Sequence, residues 1–327
     1  MKKKVLISGG SGFIGSCIVK QLIKKKYNVI NVDKLSYASQ KRVIKNKLYK
    51  FIKSDISHRI RLEKIFAKYK PDFVINCAAE SHVDNSIKNP NIFITSNVIG
   101  TLSMLQVSLK YNVKKFLHIS TDEVFGELSF GKKKFTLKSS YNPKSPYSAS
   151  KASSDHLVRS FGNTYGLKYI ITNCSNNYGP FQYPEKLIPV IINCCIKKKS
   201  IPVYGKGINV RDWIYVEDHS EAVIKALEKS KKNETYLIGS DFEMSNLDIV
   251  KLICKKFKKM TKSKFDYLSL ISYVKDRKGH DLRYAIDNSY IKKKLNWHPK
   301  TNFNKGIEKT ISFYIKNFSK LNKIYNH

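Results

Sequence analysis

The sequence predicts a doubly wound α/β fold, a parallel sheet with helices on both faces, joined to a smaller C-terminal lobe. Three observations predict it. Short runs of β-branched and apolar residues alternate with amphipathic stretches up to Asn173, glycines 9, 10, 12 and 15 cluster directly after the first run, and Asp33 closes the second. KVLIS (4–8) reads as the first buried strand, and residues 14–25 as the helix that leaves the glycine cluster. YNVINVD (27–33), YKFIKSD (49–55), DFVINCAA (72–79) and KKFLHIS (114–120) repeat the pattern of apolar runs bounded by Gly, Asp or Ser. Helices are predicted between them at 60–68 and 97–109, followed by a helix over 148–161 and a strand, YIITN, at 169–173. Beyond Ser175 the alternation loosens into Pro- and Tyr-rich loops, short helices and a helical tail ending near Phe318. The expected organisation is a dinucleotide-binding domain over 1–174 to which 206–240 return, and a substrate lobe from 175–205 and 241–327.

Composition excludes several classes. The chain has 327 residues, 42% of them hydrophobic, enough to fill a sizeable core. No run of about 18 uncharged apolar residues occurs, and the first residues turn into the glycine loop too soon for a signal-peptide core, so no membrane association and a cytoplasmic location are expected. Cys17, Cys77, Cys174, Cys194, Cys195 and Cys254 form no CxxC pair and show no His/Cys metal spacing, so they read as reduced core residues and no metal is expected. The formal charge is +36, but the lysines are scattered in short runs (24–26, 132–134, 197–199, 292–294) without a nucleic-acid motif. These read as solvated faces whose field steers an anionic small molecule rather than as a nucleic-acid surface.

Gly9, Gly12 and Gly15 stand where a dinucleotide fold needs them, because a side chain there would keep a pyrophosphate from the amides of the first helix. Phe13 and Ile14 lie at the mouth of that helix. Asp33, 18 positions after Gly15, is placed to bond the adenosine ribose hydroxyls and to repel a 2′-phosphate. That selects NAD over NADP, with Lys34 as the feature that speaks the other way. Asp55, with Ile56 beside it, is an expected adenine contact, and the small residues Ala78 and Ala79 let backbone approach the cofactor. Tyr147 and Lys151 are four apart at the start of a predicted helix and share one face. A tyrosine with an ordinary pKa of ~10 must be acidified to act as a base, and an adjacent ammonium with an oxidised nicotinamide would do this. Thr121, at the end of the fifth strand, completes the cluster.

The stretches GGSGFIGS, DKLSYAS, NCAAESHVDNSI, HISTDEVFG, PYSASKASSDHLVRS, CSNNYGPFQYPEKLIP, PVYGKGINVRDWIYVEDH and GHDLRYAID resemble the extended short-chain dehydrogenase/reductases, specifically the nucleotide-sugar 4,6-dehydratases of the dTDP- or UDP-glucose type, over nearly the whole chain. The resemblance implies an NAD-dependent lyase in which Thr121, Tyr147 and Lys151 serve hydride transfer and the adjacent acids Asp122 and Glu123 serve dehydration, Glu123 as base at carbon 5 and Asp122 as acid toward the 6-hydroxyl. A 4-epimerase on the same scaffold needs only the tyrosine and lysine, so the acid pair separates the two readings. A 4,6-dehydratase for an N-acetylated sugar is the other alternative. Without the flanking match, the two acids would read as caps of the next helix.

Arg211 and Arg277 are diphosphate candidates, since guanidinium forks match phosphate oxygens and arginine is sparse here. By resemblance, Asn176, Lys186 and Leu187 bind the nucleotide sugar, Pro202 and Tyr204 border the base, His280 lies near the phosphates or ribose, and Ser81 and His82 approach the glucose. A core histidine is the alternative for His82. Four positions depart from the family pattern: Phe125 for Tyr, Asn173 for Arg, Lys278 for Pro and Leu237 for Asn. Leu237 puts one diphosphate hydrogen bond in doubt, and none of the four removes a reacting group. The resemblance also implies a homodimer built on the helices after Asn97 and Ser148; Leu102, Leu105 and Leu109 recur at helical spacing on the first, a stripe that burial inside the monomer would also give.

Overall fold

A computed structural model describes residues 3–40, 44–231 and 233–325. The first half runs β1 (Lys4–Ser8), α1 (Phe13–Lys24), β2 (Asn28–Asp33), β3 (Tyr49–Lys53), α2 (Arg59–Tyr69), β4 (Phe73–Asn76), α3 (Val83–Lys88), α4 (Pro90–Phe93), a π-helical stretch Ile94–Ile99, α5 (Gly100–Lys110) and β5 (Lys115–Thr121). A 3₁₀ turn Asp122–Phe125 follows, then α6 (Pro146–Tyr165), β6 (Tyr169–Cys174), β7 (Asn176–Tyr178), α7 (Leu187–Lys197), β8 (Ile201–Tyr204), β9 (Val210–Tyr215), α8 (Val216–Lys229) and β10 (Glu234–Ile238). The chain ends through β11 (Glu243–Ser245), α9 (Asn246–Thr261), β12 (Ile271–Val274), α10 (Ser289–Leu295) and α11 (Phe303–Tyr325).

Seven strands form one parallel sheet in the order β10-β6-β5-β4-β1-β2-β3. Both faces are covered, which is why strands such as KVLIS carry apolar residues without alternation. Val5, Ile7, Ile18 and Val223 pack on one face, and Leu6, Val74, Phe66 and Phe116 on the other. Strand order reverses between β1 and β4, so the crevice at their carboxyl ends is the expected ligand site. Register brings Ser8 beside Asn76, and Thr121 beside Cys174, at that edge.

The predicted strands recur with their ends shifted by a few residues. Two helices are longer than expected. The one foreseen over 148–161 begins at Pro146, where Ser145 and Ser148 form a capping box, and stops before Gly166, whose φ of 72° suits a left-handed end. The one foreseen over 97–109 is helical from Pro90, because Ile94–Ile99 winds as a π-helix that the polar run ITSN does not announce. By length and composition Pro90–Lys110 could cross a bilayer, yet more than half of its apolar window is buried inside the fold. Leu105 is in the core of the protomer and Leu102 and Leu109 pack beside that core, so the outward apolar positions here are Ile92, Ile94 and Ile99.

Of the segment expected to return to the first lobe, α8 and β10 join the large sheet, but β9 pairs with β7 and β11 in a separate three-stranded sheet. Conversely α10 and Trp297 pack into the core beneath α1 and α8, although their sequence lies in the expected second lobe. The rest of that lobe closes around Ile191, Ile192, Ile249, Ile253, Ile307 and Ile311, contributed by α7, α9 and α11.

Candidate active site

A cleft of about 300 Å³ opens at the carboxyl ends of the parallel strands. Gly9, Gly12, Phe13, Ile14, Gly15, Asp33, Lys34, Asp55, Ile56, Ala78 and Ala79 all line it. The loop after β1 has room for backbone only: a Cβ on Gly9, which has φ of 71°, would stand 2.7 Å from Ala78 Cα, and one on Gly15 would stand 2.1 Å from the Gly9 carbonyl oxygen. Gly12 caps α1, whose first residues Phe13, Ile14 and Gly15 line the cleft, and the first amides of a helix lack intrahelical acceptors and suit an anion. Asp33 is held by the Ser11 amide on Oδ2 (2.9 Å) and by the Leu35 amide (2.8 Å) and Ser39 hydroxyl (3.1 Å) on Oδ1. Lys34, the residue that argued for NADP, is engaged instead: its Nζ lies 2.9 Å from Glu80 Oε1, 2.9 Å from Ser96 Oγ and 3.8 Å from Asp55 Oδ2. The cradle therefore has room for a dinucleotide backbone beside the glycines, with Asp33 in the same lining.

Asn97 is a residue that sequence reasoning passed over. The π-helical stretch turns it toward the loop after β4, where its side chain accepts from the Glu80 amide (2.9 Å) and donates to the Glu80 carbonyl (3.0 Å) and to Ser150 Oγ (2.8 Å). π-Helical turns are often found at functional sites. A buried asparagine within an apolar helix was the only signal.

Thr121, Asp122, Glu123, Tyr147 and Lys151 line the same cleft. Thr121 ends β5 and caps the 3₁₀ turn, its Oγ1 accepting from the Glu123 amide (3.2 Å) and donating to Asp122 Oδ1 (3.3 Å). The acids thus occupy the first turn and are not its cap. Burial, with Glu123 and Asp212 nearby, raises the Asp122 carboxyl well above the usual carboxylate range, which favours its protonated form. Burial also raises Glu123, but Arg277, Arg211 and Lys186 pull it back toward the ionised form. Burial therefore raises both carboxyls, and the nearby cations oppose it more for Glu123 than for Asp122. Burial, then Glu123, pushes the Tyr147 phenol well above its ordinary value, so the acidification expected of it depends on the bound nicotinamide beside Lys151. Lys151 directs Nζ to the Ile119 carbonyl oxygen (2.8 Å) and toward His118 Nε2 (3.2 Å). The polypeptide alone holds the tyrosine neutral.

Ser81, Asn176 and Lys186 line the cleft, and Lys186 Nζ donates to the Ser81 carbonyl oxygen (2.7 Å). Leu187 is the first residue of α7. His82 is half-buried and its Nδ1 has no hydrogen-bond partner, so it is not a satisfied core histidine. The other expected substrate residues stand outside the cleft lining. Arg211 is buried, donates to the carbonyls of Val210, Asp281 and Leu282, and stacks 4.2 Å above the Tyr284 ring. Arg277 lies 3.6 Å from Asp84, which also accepts from Tyr204 (3.4 Å), and His280 bonds Asp276 at 2.7 Å. Pro202 and Tyr204 are exposed on β8. Asn173, one of the departures, is buried and donates to the Thr121 carbonyl and to Asp155, and Leu237 is buried among Phe125, Phe135 and Ile286.

Residues 6–310 match the family model described as GDP-mannose 4,6 dehydratase. A dTDP-glucose 4,6-dehydratase of Escherichia coli is 48% identical, with 96% of this chain and 94% of that protein aligned. A dTDP-glucose 4,6-dehydratase from Streptomyces venezuelae, crystallised with NAD and dTDP bound, superposes with a TM-score of 0.91 at 36% identity, covering 97% of this chain and 98% of the other. The UDP-glucose 4-epimerase of Thermotoga maritima, solved with UDP-glucose, superposes with a TM-score of 0.88 at 31% identity over 96% and 99%. Fold likeness therefore spans both chemistries, while the family match and the close sequence relatives lie with the dehydratases. With its glycine-lined cradle and the Asp122–Glu123 pair in one cleft, this chain belongs to the GDP-mannose 4,6-dehydratase family of nucleotide-sugar 4,6-dehydratases.

Proposed function

We propose that the protein is an NAD-dependent dTDP-glucose 4,6-dehydratase that converts its substrate to the 4-keto-6-deoxy sugar. The observation that carries this reading is the pair Asp122 and Glu123, set at the end of β5 in the cleft that Tyr147 and Lys151 also line, with unlike surroundings for the two carboxyls. The close sequence relatives named as dTDP-glucose enzymes favour thymidine over uridine. Bound NAD would supply the acceptor for the hydride of carbon 4 and the donor of hydride to carbon 6. Gly9, Gly12 and Gly15 would leave room for its pyrophosphate, and Asp33 would hold its ribose. Tyr147 takes the proton of the 4-hydroxyl. With carbon 4 a ketone, the hydrogen on carbon 5 is acidic, and Glu123 removes it while Asp122 protonates the departing 6-hydroxyl. A cofactor reduced and reoxidised within one turnover gains nothing by leaving, so the purified protein carries NAD.

The same reading includes a cytosolic enzyme, consistent with six free thiols, and a homodimer formed through Ile92, Ile94 and Ile99 on the outward side of Pro90–Lys110. Substrate deuterated at carbon 4 tests the chemistry. The label must appear in the methyl group of the product, and turnover in heavy water must label carbon 5. An unlabelled methyl group makes the 4-epimerase the better reading.

A further inference from the structure

Behind Lys151 lies a set of buried polar groups that the reaction assigned above does not use. His118 Nε2 stands between two charges, 3.2 Å from Lys151 Nζ and 3.5 Å from Asp155 Oδ1. Lys151 and Asp155 are four apart on α6 and so share a face. Asp155 Oδ2 accepts from Ser120 Oγ (3.0 Å), the Tyr141 hydroxyl (2.7 Å) and Asn173 Nδ2 (3.1 Å). Arg159 donates to the Tyr141 oxygen (2.9 Å), which leaves the phenolic hydrogen for Asp155. Burial raises the Asp155 carboxyl, and Lys151, Tyr141, Arg159 and Asn173 pull it back toward the ionised form. Lys151 and Ser120 are each 3% exposed and His118, Asp155 and Asn173 are 0% exposed, so solvent does not balance the ammonium there.

The other titratable groups around Lys151 supply no negative charge. Burial pushes up the thiols of Cys77, after β4, to about 12 and of Cys174, at the end of β6. It keeps His118, on β5, neutral, and it holds Tyr147 as a phenol. Arg159 is a second cation on α6. Burial drives the Lys151 proton off, and Asp155 is the carboxylate that opposes this.

We propose that Asp155 is a positioning residue for Lys151, its carboxylate supplying the counter-charge of the buried ammonium on the same face of α6. The proposal rests on the catalytic assignment of Tyr147 and Lys151 made above. Lys151 then keeps its charge at the cleft through the cycle, where that charge favours the tyrosinate over the phenol. The three donors to Asp155 lie on β5, on the loop before α6 and on β6, so the arrangement exists only in the folded chain.

The test is the pH profile of kcat for holoenzyme whose NAD content is measured after denaturation. Asp155→Asn removes the counter-charge and lowers the Lys151 pKa, so the alkaline limb moves down by about one pH unit or more. At the optimum kcat falls by about tenfold or more, with KM for dTDP-glucose within about twofold of wild type because no contact to substrate is lost. Ser120→Ala, which removes a bond from the same network but keeps the charge, leaves the alkaline limb in place. An unmoved limb in Asp155→Asn, or an equal movement in Ser120→Ala, overturns the proposal. Should Asp155→Asn fail to fold with NAD, Tyr141→Phe decides: losing that donor raises the Asp155 pKa, so the acid limb must move up, and an unmoved acid limb overturns the proposal. The product formed by the wild-type enzyme judges the dehydratase reading separately, since an epimerase would share Tyr147 and Lys151 and show the same shifts.

Discussion

Gly15→Ala puts one methyl group where the fold has no space. The added Cβ would lie 2.1 Å from the Gly9 carbonyl oxygen, 2.9 Å from Gly9 C and 2.9 Å from Gly10 Cα, all of them backbone. The carbonyl cannot simply swing away, because Gly9 accepts from the Gly12 amide (3.1 Å) and donates to Val32 O (2.9 Å). Relief requires the loop or α1 to move by roughly 1 Å, and overpacking of this kind costs about 1–3 kcal/mol. If most of that strain falls on the cofactor cradle, NAD affinity drops by about tenfold to a hundredfold at 1.4 kcal/mol per decade. The assay is nicotinamide released per chain on denaturation of the purified protein, alongside a thermal melt. Gly12→Ala is the graded control, since its added Cβ would approach Gly9 O at only 3.3 Å. Stoichiometric NAD and an unchanged melt in Gly15→Ala would refute the steric argument.

Three further outcomes follow from the same geometry. Glu123→Gln should oxidise carbon 4 and then stall with reduced cofactor visible by absorbance, its turnover down by about 10²–10⁴, whereas Tyr147→Phe should fail before that absorbance appears; wild-type turnover in Glu123→Gln would contradict the acid-pair assignment. His219, buried in α8 without a partner for either ring nitrogen, has its pKa pushed down by burial to about 3. Its neutral form therefore contributes stability that is present above the unfolded value near ~6.5 and is lost toward pH 3 at about 1.4 kcal/mol per unit. Urea unfolding at several pH values should show this slope and a shallower one in His219→Leu, and identical slopes would remove the histidine from the account. Ile99→Lys places a charge on an apolar side chain that is 45% exposed, so light scattering should show a dimer in wild type and a smaller species in the variant, and a wild-type mass of 37.7 kDa would end the dimer proposal.

The sequence by itself determined the doubly wound sheet, the glycine loop after β1 and the gathering of Thr121, Tyr147 and Lys151 in one cleft, because each is written in local pattern. Buried parallel strands need apolar runs such as KVLIS, a pyrophosphate cradle needs backbone without Cβ at Gly9 and Gly15, and a base with its ammonium needs spacing of four on one helix face. Only the tertiary structure decided what depends on neighbours distant along the chain. It turned Lys34 to Glu80 and Ser96, buried Leu105 inside the protomer, wound Ile94–Ile99 so that Asn97 holds the loop at Glu80, and paired β9 with β7 and β11 away from the large sheet. It also set the surroundings of the two carboxyls. Asp122 and Glu123 are adjacent acids in the sequence and burial raises both, while Asp122 has Asp212 as a further neighbour and Glu123 has Arg277 and Lys186. Desolvation and charge act through space, so residues far apart in sequence decide how unlike two adjacent carboxyls become.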